Sequence, residues 1–311
     1  MGSRGSPLAL RQAQTVMERL RALGVEPELR LVKTSGDLFL DKPLHQLAGV
    51  GVFVAEIDEL MLRGEINLAV HSMKDLPTKR PEELVIAAIL KRDSPYDILV
   101  PSNGPALQLE DLSEGAVIGT SSMRRTAQLR RARPDLVVKS LRGNLQTRLR
   151  KLRAGEYDAI ILAEAGLQRM GLDKDQNKDL NYVRLDLERF VPSANQGTIV
   201  AVARTGSRAE SYCRSMDDMP TRTETMIERK ILETVGGGCV VPMAVHAEVA
   251  GSEARVLSEV LSLDGKRFVR LDESISLDGD HLEMAANLGR RLMNIGGREL
   301  VDEAVKAVGA R

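Results

Sequence analysis

The sequence predicts two α/β halves with mostly parallel, mixed sheets, followed by a small C-terminal α+β domain. Three observations carry that reading. Short apolar runs of the buried-strand type alternate with amphipathic helical segments through the first two-thirds of the chain. Several of these runs end directly in polar residues, which is where open α/β sheets place their ligands. After a helix that stops at Gly236-Gly237-Gly238-Cys239, the period switches to apolar–polar alternation with a hairpin turn at Asp264-Gly265.

The elements follow in order. Ser6 is a capping hydroxyl and Pro7 sits at the first helical position, where a missing N–H costs nothing. Ala9, Ala13, Val16, Met17, Leu20 and Leu23 then share one face, and Gly24 stops the helix. Glu28 to Thr34 reads as a strand, Thr34-Ser35-Gly36-Asp37 as a turn, and Phe53 to Arg63 as a second helix. Ile66 to Val70 is a buried parallel-type strand that runs into His71-Ser72-Met73-Lys74-Asp75. Pro95 to Pro105 is expected to cross between the halves. The pattern then repeats. Ala116 to Gly119 leads into Thr120-Ser121-Ser122 and a helix through Arg131, closed by Pro134. Leu136 to Ser140 leads into Leu141-Arg142-Gly143-Asn144 and a helix to Arg153, and Asp158 to Ala163 is a third strand. In the last third, a helix from about Thr223 to Val235 precedes strands at Ala244 to Val249, Ala254 to Leu263 and Arg267 to Leu277. Helices near His281 to Asn294 and Arg298 to Val308 close the chain.

Composition narrows the chemistry. The 311 residues hold 44 Lys+Arg against 44 Asp+Glu, which argues against a surface wholly committed to nucleic acid or to an anionic membrane. Aromatic residues are 3% with no Trp, so recognition by base stacking is not expected. Cys213 and Cys239 are the two cysteines, and with four His and no pair at ligand spacing neither a disulfide framework nor a metal site is expected. No apolar run reaches signal-peptide or membrane-span length, so a cytoplasmic setting is the default.

The neutral total conceals a local excess. From Ser121 to Arg153 there are eleven basic residues against one acid, Asp135. Arg130, Arg131, Arg133, Arg150, Lys151 and Arg153 read as solvated helix faces. Arg124, Arg125 and Arg142 differ because they lie at strand-to-helix junctions beside Thr120, Ser121, Ser122 and Asn144. There the helix dipole and free N–H groups favour an anion, and a guanidinium adds a bidentate fork. Each such charged hydrogen bond is worth about 1.5–3 kcal/mol, so the cluster suits a ligand with several carboxylates. The His71–Asp75 segment reads equally as a structural Lys–Asp pair with a helix cap, or as a carboxylate held ready to stabilise a developing cation. Cys239 follows three glycines on an exposed turn with no His nearby for a catalytic dyad, which suits covalent attachment of a group, whereas Cys213 reads as structural. Gly49-Val50-Gly51 fails the G-x-G-x-x-G pattern, which sets NAD aside.

Taken together these blocks resemble the porphobilinogen deaminase (hydroxymethylbilane synthase) family. The resemblance runs through Ser3-Arg4-Gly5-Ser6-Pro7, Ala69-Val70-His71-Ser72-Met73-Lys74-Asp75-Leu76-Pro77 and Gly119-Thr120-Ser121-Ser122-Met123-Arg124-Arg125. It continues through Leu141-Arg142-Gly143-Asn144, Thr147-Arg148-Leu149, Asn195-Gln196-Gly197 and Gly237-Gly238-Cys239. It implies two domains like type II periplasmic binding proteins, residues 1–93 with 192–212 and residues 94–191, plus an α+β domain over 213–311. It also implies a transferase of tetrapyrrole biosynthesis that condenses four porphobilinogens head to tail, releasing ammonia, and frees the linear product by hydrolysis. The primer would be a dipyrromethane joined as a thioether to Cys239. Arg4, Lys74, Arg124, Arg125, Arg142 and Arg148 match the family's carboxylate-binding positions, and Asp75 matches its catalytic Asp, placed to stabilise cationic character on the pyrrole. Ser6, Ser72, Thr120, Ser121, Ser122, Asn144 and Gln196 would supply neutral hydrogen bonds. The implied partner is porphobilinogen, with no nucleic acid or membrane, and a monomer is expected. The pattern departs where Val50 and Ala55 replace common lysines, near Lys174 and Asp175 where an Arg is usual, and at the first strand, which is expected to be short or absent. A non-catalytic polycarboxylate-binding protein of the same fold would need the arginines but neither Asp75 nor Cys239. An RNA-binding basic helix ranks last, because almost no aromatics accompany the arginines.

Overall fold

In a computed structural model, residues 1–34, 54–173 and 180–309 are described, with Cys239, Val308 and Gly309 described by their backbone alone. The Thr34–Asp37 turn, the Gly49–Gly51 segment, Val50, the start of the second helix at Phe53, Lys174 and Asp175 fall wholly or partly outside the described residues.

Along the chain, β1 (Gly2–Arg4), α1 (Pro7–Ala22), β2 (Arg30–Val32), α2 (Ala55–Leu62), β3 (Leu68–Ser72) and β4 (Leu84–Ile89) come first. Next are β5 (Asp97–Pro101), β6 (Val117–Gly119), α3 (Met123–Ala132), β7 (Val137–Lys139), α4 (Leu145–Arg153), β8 (Ala159–Ala163), α5 (Glu164–Arg169) and β9 (Val183–Arg184). The chain continues through β10 (Ile199–Arg204), α6 (Arg208–Cys213), α7 (Met219–Val235) and β11 (Met243–Ala250). It closes with β12 (Glu253–Leu261), β13 (Phe268–Ser276), α8 (His281–Leu292) and α9 (Arg298–Gly309). The first strand is present, three residues long, and bridges β2 and β3 in parallel register.

The strands form two mixed sheets, ordered β2-β1-β3-β10-β4 and β7-β6-β8-β5-β9, and one antiparallel meander, β11-β12-β13. In the first sheet only β10 is reversed, running antiparallel to both β3 and β4. In the second only β5 is reversed, against β8 and β9. Each reversed strand follows a passage of the chain between the sheets, so the polypeptide enters β5 from the first sheet and returns through β10. This is the α/β architecture anticipated, with one adjustment. The expected crossing segment contains β5, every residue of which is buried, because Ile98, Leu99 and Val100 fill the centre of the second sheet. The passage itself is shorter and lies just before Asp97.

Separate cores lie under the sheets. Val16, Leu20, Val70 and Ala201 pack on one face of the first sheet and Ile57, Met61, Ile66 and Ile89 on the other. Leu141, Leu149 and Ile160 on one side and Leu129, Ile118 and Phe190 on the other enclose the second. The meander is covered by α7, α8 and α9 through Ile227, Ile231, Val256, Val260, Leu288 and Leu300. Its hairpin tip docks on α3. Gly265 takes φ of 74°, and a Cβ there would come within 2.3 Å of the Ala127 carbonyl, so only glycine permits the approach. The buried Glu259 carboxylate pairs with Arg131 at 2.8 Å and accepts from Gln128 at 2.8 Å, fixing α3 against β12. On the other side α7 reaches the first sheet, where Glu228, fully buried, pairs with Arg92 at 2.7 Å and accepts from the backbone N–H of Asn195 and Ala247. Among the described residues no helix is long and apolar enough to cross a membrane.

Candidate active site

The first wall of the cleft is the end of β3. Ser72 accepts a hydrogen bond of 2.7 Å from Gln12 Nε2 on α1. A short 3-10 turn, Met73–Asp75, then begins with the fully buried Met73, whose N–H donates to the Thr198 carbonyl at 2.9 Å. Anchoring Met73 inside turns Lys74 and Asp75 out to solvent. The chain is taken up again at the buried Leu76, where Arg229 of α7 donates to the carbonyls of Leu76, at 2.9 Å, and Pro77. Arg4 ends β1, and the Gly2–Ala69 register places it near His71. His71 is buried with Nε2 lacking a partner; burial first, then Arg80 and Arg4, lower its pKa to about 3, so it stays neutral.

The second wall is built from two strand-to-helix junctions of the other sheet. Ser122 caps α3 by accepting from the Arg125 N–H, and Asn144 caps α4 by accepting from the Thr147 N–H at 2.9 Å. Thr120 Oγ1 accepts from the Ser122 N–H at 3.2 Å. The Ser121 hydroxyl bonds the Leu141 carbonyl at 2.9 Å, which ties the two junctions together. Gly143, at φ of 106°, makes the bend that lets Arg148 Nε reach back to its carbonyl at 2.9 Å. Ser6 is likewise engaged in capping, accepting from the Ala9 N–H at the start of α1.

The arginines at these junctions divide into two kinds. Arg124 and Arg125 are buried on one carboxylate, Asp97, each at 2.7 Å. Arg124 also bonds the Val191 carbonyl and Gln128, and Arg125 the Ile161 carbonyl. Burial alone would raise the Asp97 pKa, but the two guanidiniums override it and hold the carboxyl well below its ordinary range. Arg148 has no carboxylate partner among the described residues, and Arg142 is half-buried. Burial, then the neighbouring Arg125 and Arg142, lowers Arg148 to about 10, against the pull of Asp75. Lys74 is lowered to about 8, mostly by the protein packed round it, although solvent still reaches it. Asp75 and Asp97 pull it up; Arg125 and Arg124 push it down. Asp75 therefore lies in electrostatic reach of Lys74 on its own turn and of Arg148 across the cleft. Gln196, buried on the returning segment, accepts from Lys74 Nζ at 3.4 Å and donates to Asp97 at 2.9 Å.

Cys239 lies in the backbone turn Gly238–Val240, beyond Gly236 and Gly237, which both take positive φ. Cys213 is buried among Val16, Leu20 and Val70, and burial raises its thiol pKa to about 12, so it is inert. Ala55, where the family resemblance led to the expectation of a lysine, opens α2. Asp97, Gln12 and Arg229 were not singled out by the sequence. Asp97 had a signal, since a carboxylate heading the apolar run Ile98-Leu99-Val100 must find a cation once buried. Gln12 and Arg229 act across long sequence separations and carry none.

Two singly reversed mixed sheets, with cations exceeding acids at the strand ends that approach one another, define an α/β fold suited to a small polyanion. A family model described as "Porphobilinogen deaminase, dipyromethane cofactor binding domain" matches residues 1–212. Another, "Porphobilinogen deaminase, C-terminal domain", matches residues 222–294. The chain is 52% identical over 307 residues to the probable porphobilinogen deaminase of Methanococcoides burtonii, covering 98% of this chain and 96% of that one. It is 39% identical over 310 residues to the porphobilinogen deaminase of Syntrophobacter fumaroxidans, covering 99% and 98%. Solved structures with some likeness include the periplasmic VFT2 domain of BvgS from Bordetella pertussis, 14% identical over 66% of this chain and 75% of that one, with a TM-score of 0.38. The chain belongs to the porphobilinogen deaminase family. It is a transferase whose cofactor is dipyrromethane.

Proposed function

We propose that the cleft performs the hydroxymethylbilane synthase reaction, the stepwise joining of four porphobilinogen molecules with loss of ammonia from each, ended by hydrolysis to the linear tetrapyrrole. The observation that carries this reading is the position of Asp75, exposed at the end of β3 and within electrostatic reach of a cation from each wall, Lys74 and Arg148, neither of which has a carboxylate at salt-bridge distance among the described residues. Every pyrrole ring of substrate and cofactor brings an acetate and a propionate, and these are the carboxylates such cations would take up when ligand is present. Such a donor set fits a dipyrromethane. When bound, that group supplies the acceptor ring to which the first substrate is joined. Residues 213–311, proposed as the third domain, bring the Cys239 turn, and its thiol is the proposed attachment point. The other proposed domains are residues 1–93 with 192–212, and residues 94–191.

In this reading Arg148, Arg142, Arg4 and Lys74 bind carboxylates, while the Asn144 cap fixes the start of the helix that carries Arg148 and the Ser122 and Ser6 caps fix the starts of α3 and α1. Arg124 and Arg125 supply positive potential from beneath rather than open forks, because Asp97 already takes their inward faces. Thr120 and Ser121 hold the junctions and Ser72 the β3 end. As the C–N bond to the departing ammonia breaks, positive charge grows on the pyrrole of porphobilinogen. The Asp75 carboxylate faces that charge and stabilises it more strongly than it does the ground state. We further infer a monomer working in the cytoplasm, the first readable by light scattering on the purified protein. The reading is tested by incubating purified protein with porphobilinogen. Four ammonia released per linear tetrapyrrole is the expected result, and porphobilinogen left unconsumed would overturn it.

A further inference from the structure

The residue that organises the arginine wall is itself an acid. Asp97 opens β5 at the point where the chain enters the second sheet, and it has no exposed surface. Its Oδ2 accepts from Arg124 at 2.7 Å, and its Oδ1 accepts from Arg125 NH2 at 2.7 Å and Nε at 3.2 Å. Oδ1 also accepts from Gln196 Nε2 at 2.9 Å. The second proton of that amide goes to the Pro95 carbonyl at 2.8 Å. Both partners of Nε2 are acceptors, so the amide has one orientation, with Oε1 turned toward Lys74 Nζ at 3.4 Å. One buried carboxylate thus touches α3 on one wall and, through the returning segment, the turn carrying Asp75 on the other.

We propose that Asp97 is a positioning residue for the condensation reaction, a resident carboxylate that pre-assembles the cleft by holding Arg124 and Arg125 and by aiming Lys74 through Gln196. The inference rests on the catalytic reading above. Two buried guanidiniums side by side repel each other and lose hydration, and a permanent counter-charge offsets part of both costs before any ligand arrives. It also divides the labour of the cations. Carboxylates of the ligand then fall to Arg142, Arg148 and Lys74, which face the cleft, while Arg124 and Arg125 stay fixed as each ring is added.

The test follows the Lys74 ammonium directly, by NMR titration of protein labelled at lysine Cε, purified with its cofactor and without substrate, the signal being assigned by its loss in Lys74→Arg. The groups around Lys74 are Asp75, Asp97, Arg124 and Arg125. Asp97→Asn removes a negative charge, so the Lys74 pKa is expected to fall, and kcat/KM to drop by at least tenfold, about what one lost charged hydrogen bond implies. A generic loss of stability would leave the Lys74 titration where it was. Wild-type titration and wild-type kcat/KM in Asp97→Asn would overturn the proposal. Should that variant not accumulate as folded protein, Gln196→Met carries the test. It cuts the link from Asp97 to Lys74 while leaving both arginine pairs, and an unmoved Lys74 pKa there would equally overturn it. The titration needs no turnover, so a failure of the catalytic reading would show separately, as porphobilinogen left unconsumed by wild type.

Discussion

The α3 and α4 junctions were written in the same sequence style and do different work. Each has a short strand, a polar turn and a capping side chain, with Arg124 and Arg125 in the first turn of α3 and Arg148 in that of α4. At α3 the arginines are buried on Asp97; at α4 Arg148, among the described residues, meets a backbone carbonyl and no carboxylate. The difference lies in one acid from a third element, not in the junctions themselves. An arginine whose charge is matched inside the protein shapes the site. One whose charge is unmatched waits for an anion from outside.

The largest effect is expected at the point both junctions serve. Asp75→Ala should fold and still load its cofactor, because the side chain is exposed, yet turnover should fall about 10²–10³-fold, the usual cost of removing one group aimed at developing charge. Steady-state porphobilinogen consumption reads this, and near-normal rates would remove Asp75 from the chemistry. Next come paired substitutions that set the junctions against each other. Arg124→Leu strips Asp97 of one of its two cations inside the protein and should cost roughly 3 kcal/mol in a denaturant unfolding curve. Arg148→Leu should change that curve by less than about 0.5 kcal/mol while lowering kcat/KM roughly 10- to 100-fold. If the two variants behaved alike in both assays, the division between matched and unmatched arginines would be broken.

A smaller effect distinguishes the β3 wall. His71 is neutral when folded, with a pKa near 3, and ordinary when unfolded. Between about pH 6.5 and 3 the unfolded chain binds the extra proton, so stability present above that window is lost as pH falls, by at most about 1.4 kcal/mol per pH unit. Unfolding curves across this range should be shallower in pH for His71→Gln, and an unchanged slope would show that another group controls acid sensitivity.

How far the sequence reached follows the same line. Ser6 was legible as a cap because capping is local, a side chain reaching three residues along, whereas Ser122 and Asn144 were legible as junction residues and the structure shows them to cap α3 and α4. Strands β3 and β8 were legible from their unbroken apolar runs, and the meander from its alternation. The boundaries drifted where tertiary contacts decide them: β3 extends through His71 and Ser72, whose backbone pairs with β10 from far along the chain. The reversed β5 was read as a connection, since a five-residue strand flanked by prolines looks like a linker until its neighbours are known. At the site, the basic excess was visible as composition. Its partition was not, because Asp97 lies 27 and 28 residues from the arginines it holds, and nothing in the spacing joins them.

The central claim, that this cleft is a loaded polycarboxylate site primed through Cys239, has a direct measurement in the intact mass of protein purified from a porphobilinogen-producing host. The account predicts a wild-type mass above that of the polypeptide by two linked pyrrole units, and the bare polypeptide mass for Cys239→Ser. A wild-type protein that turns over porphobilinogen at the bare mass would contradict it.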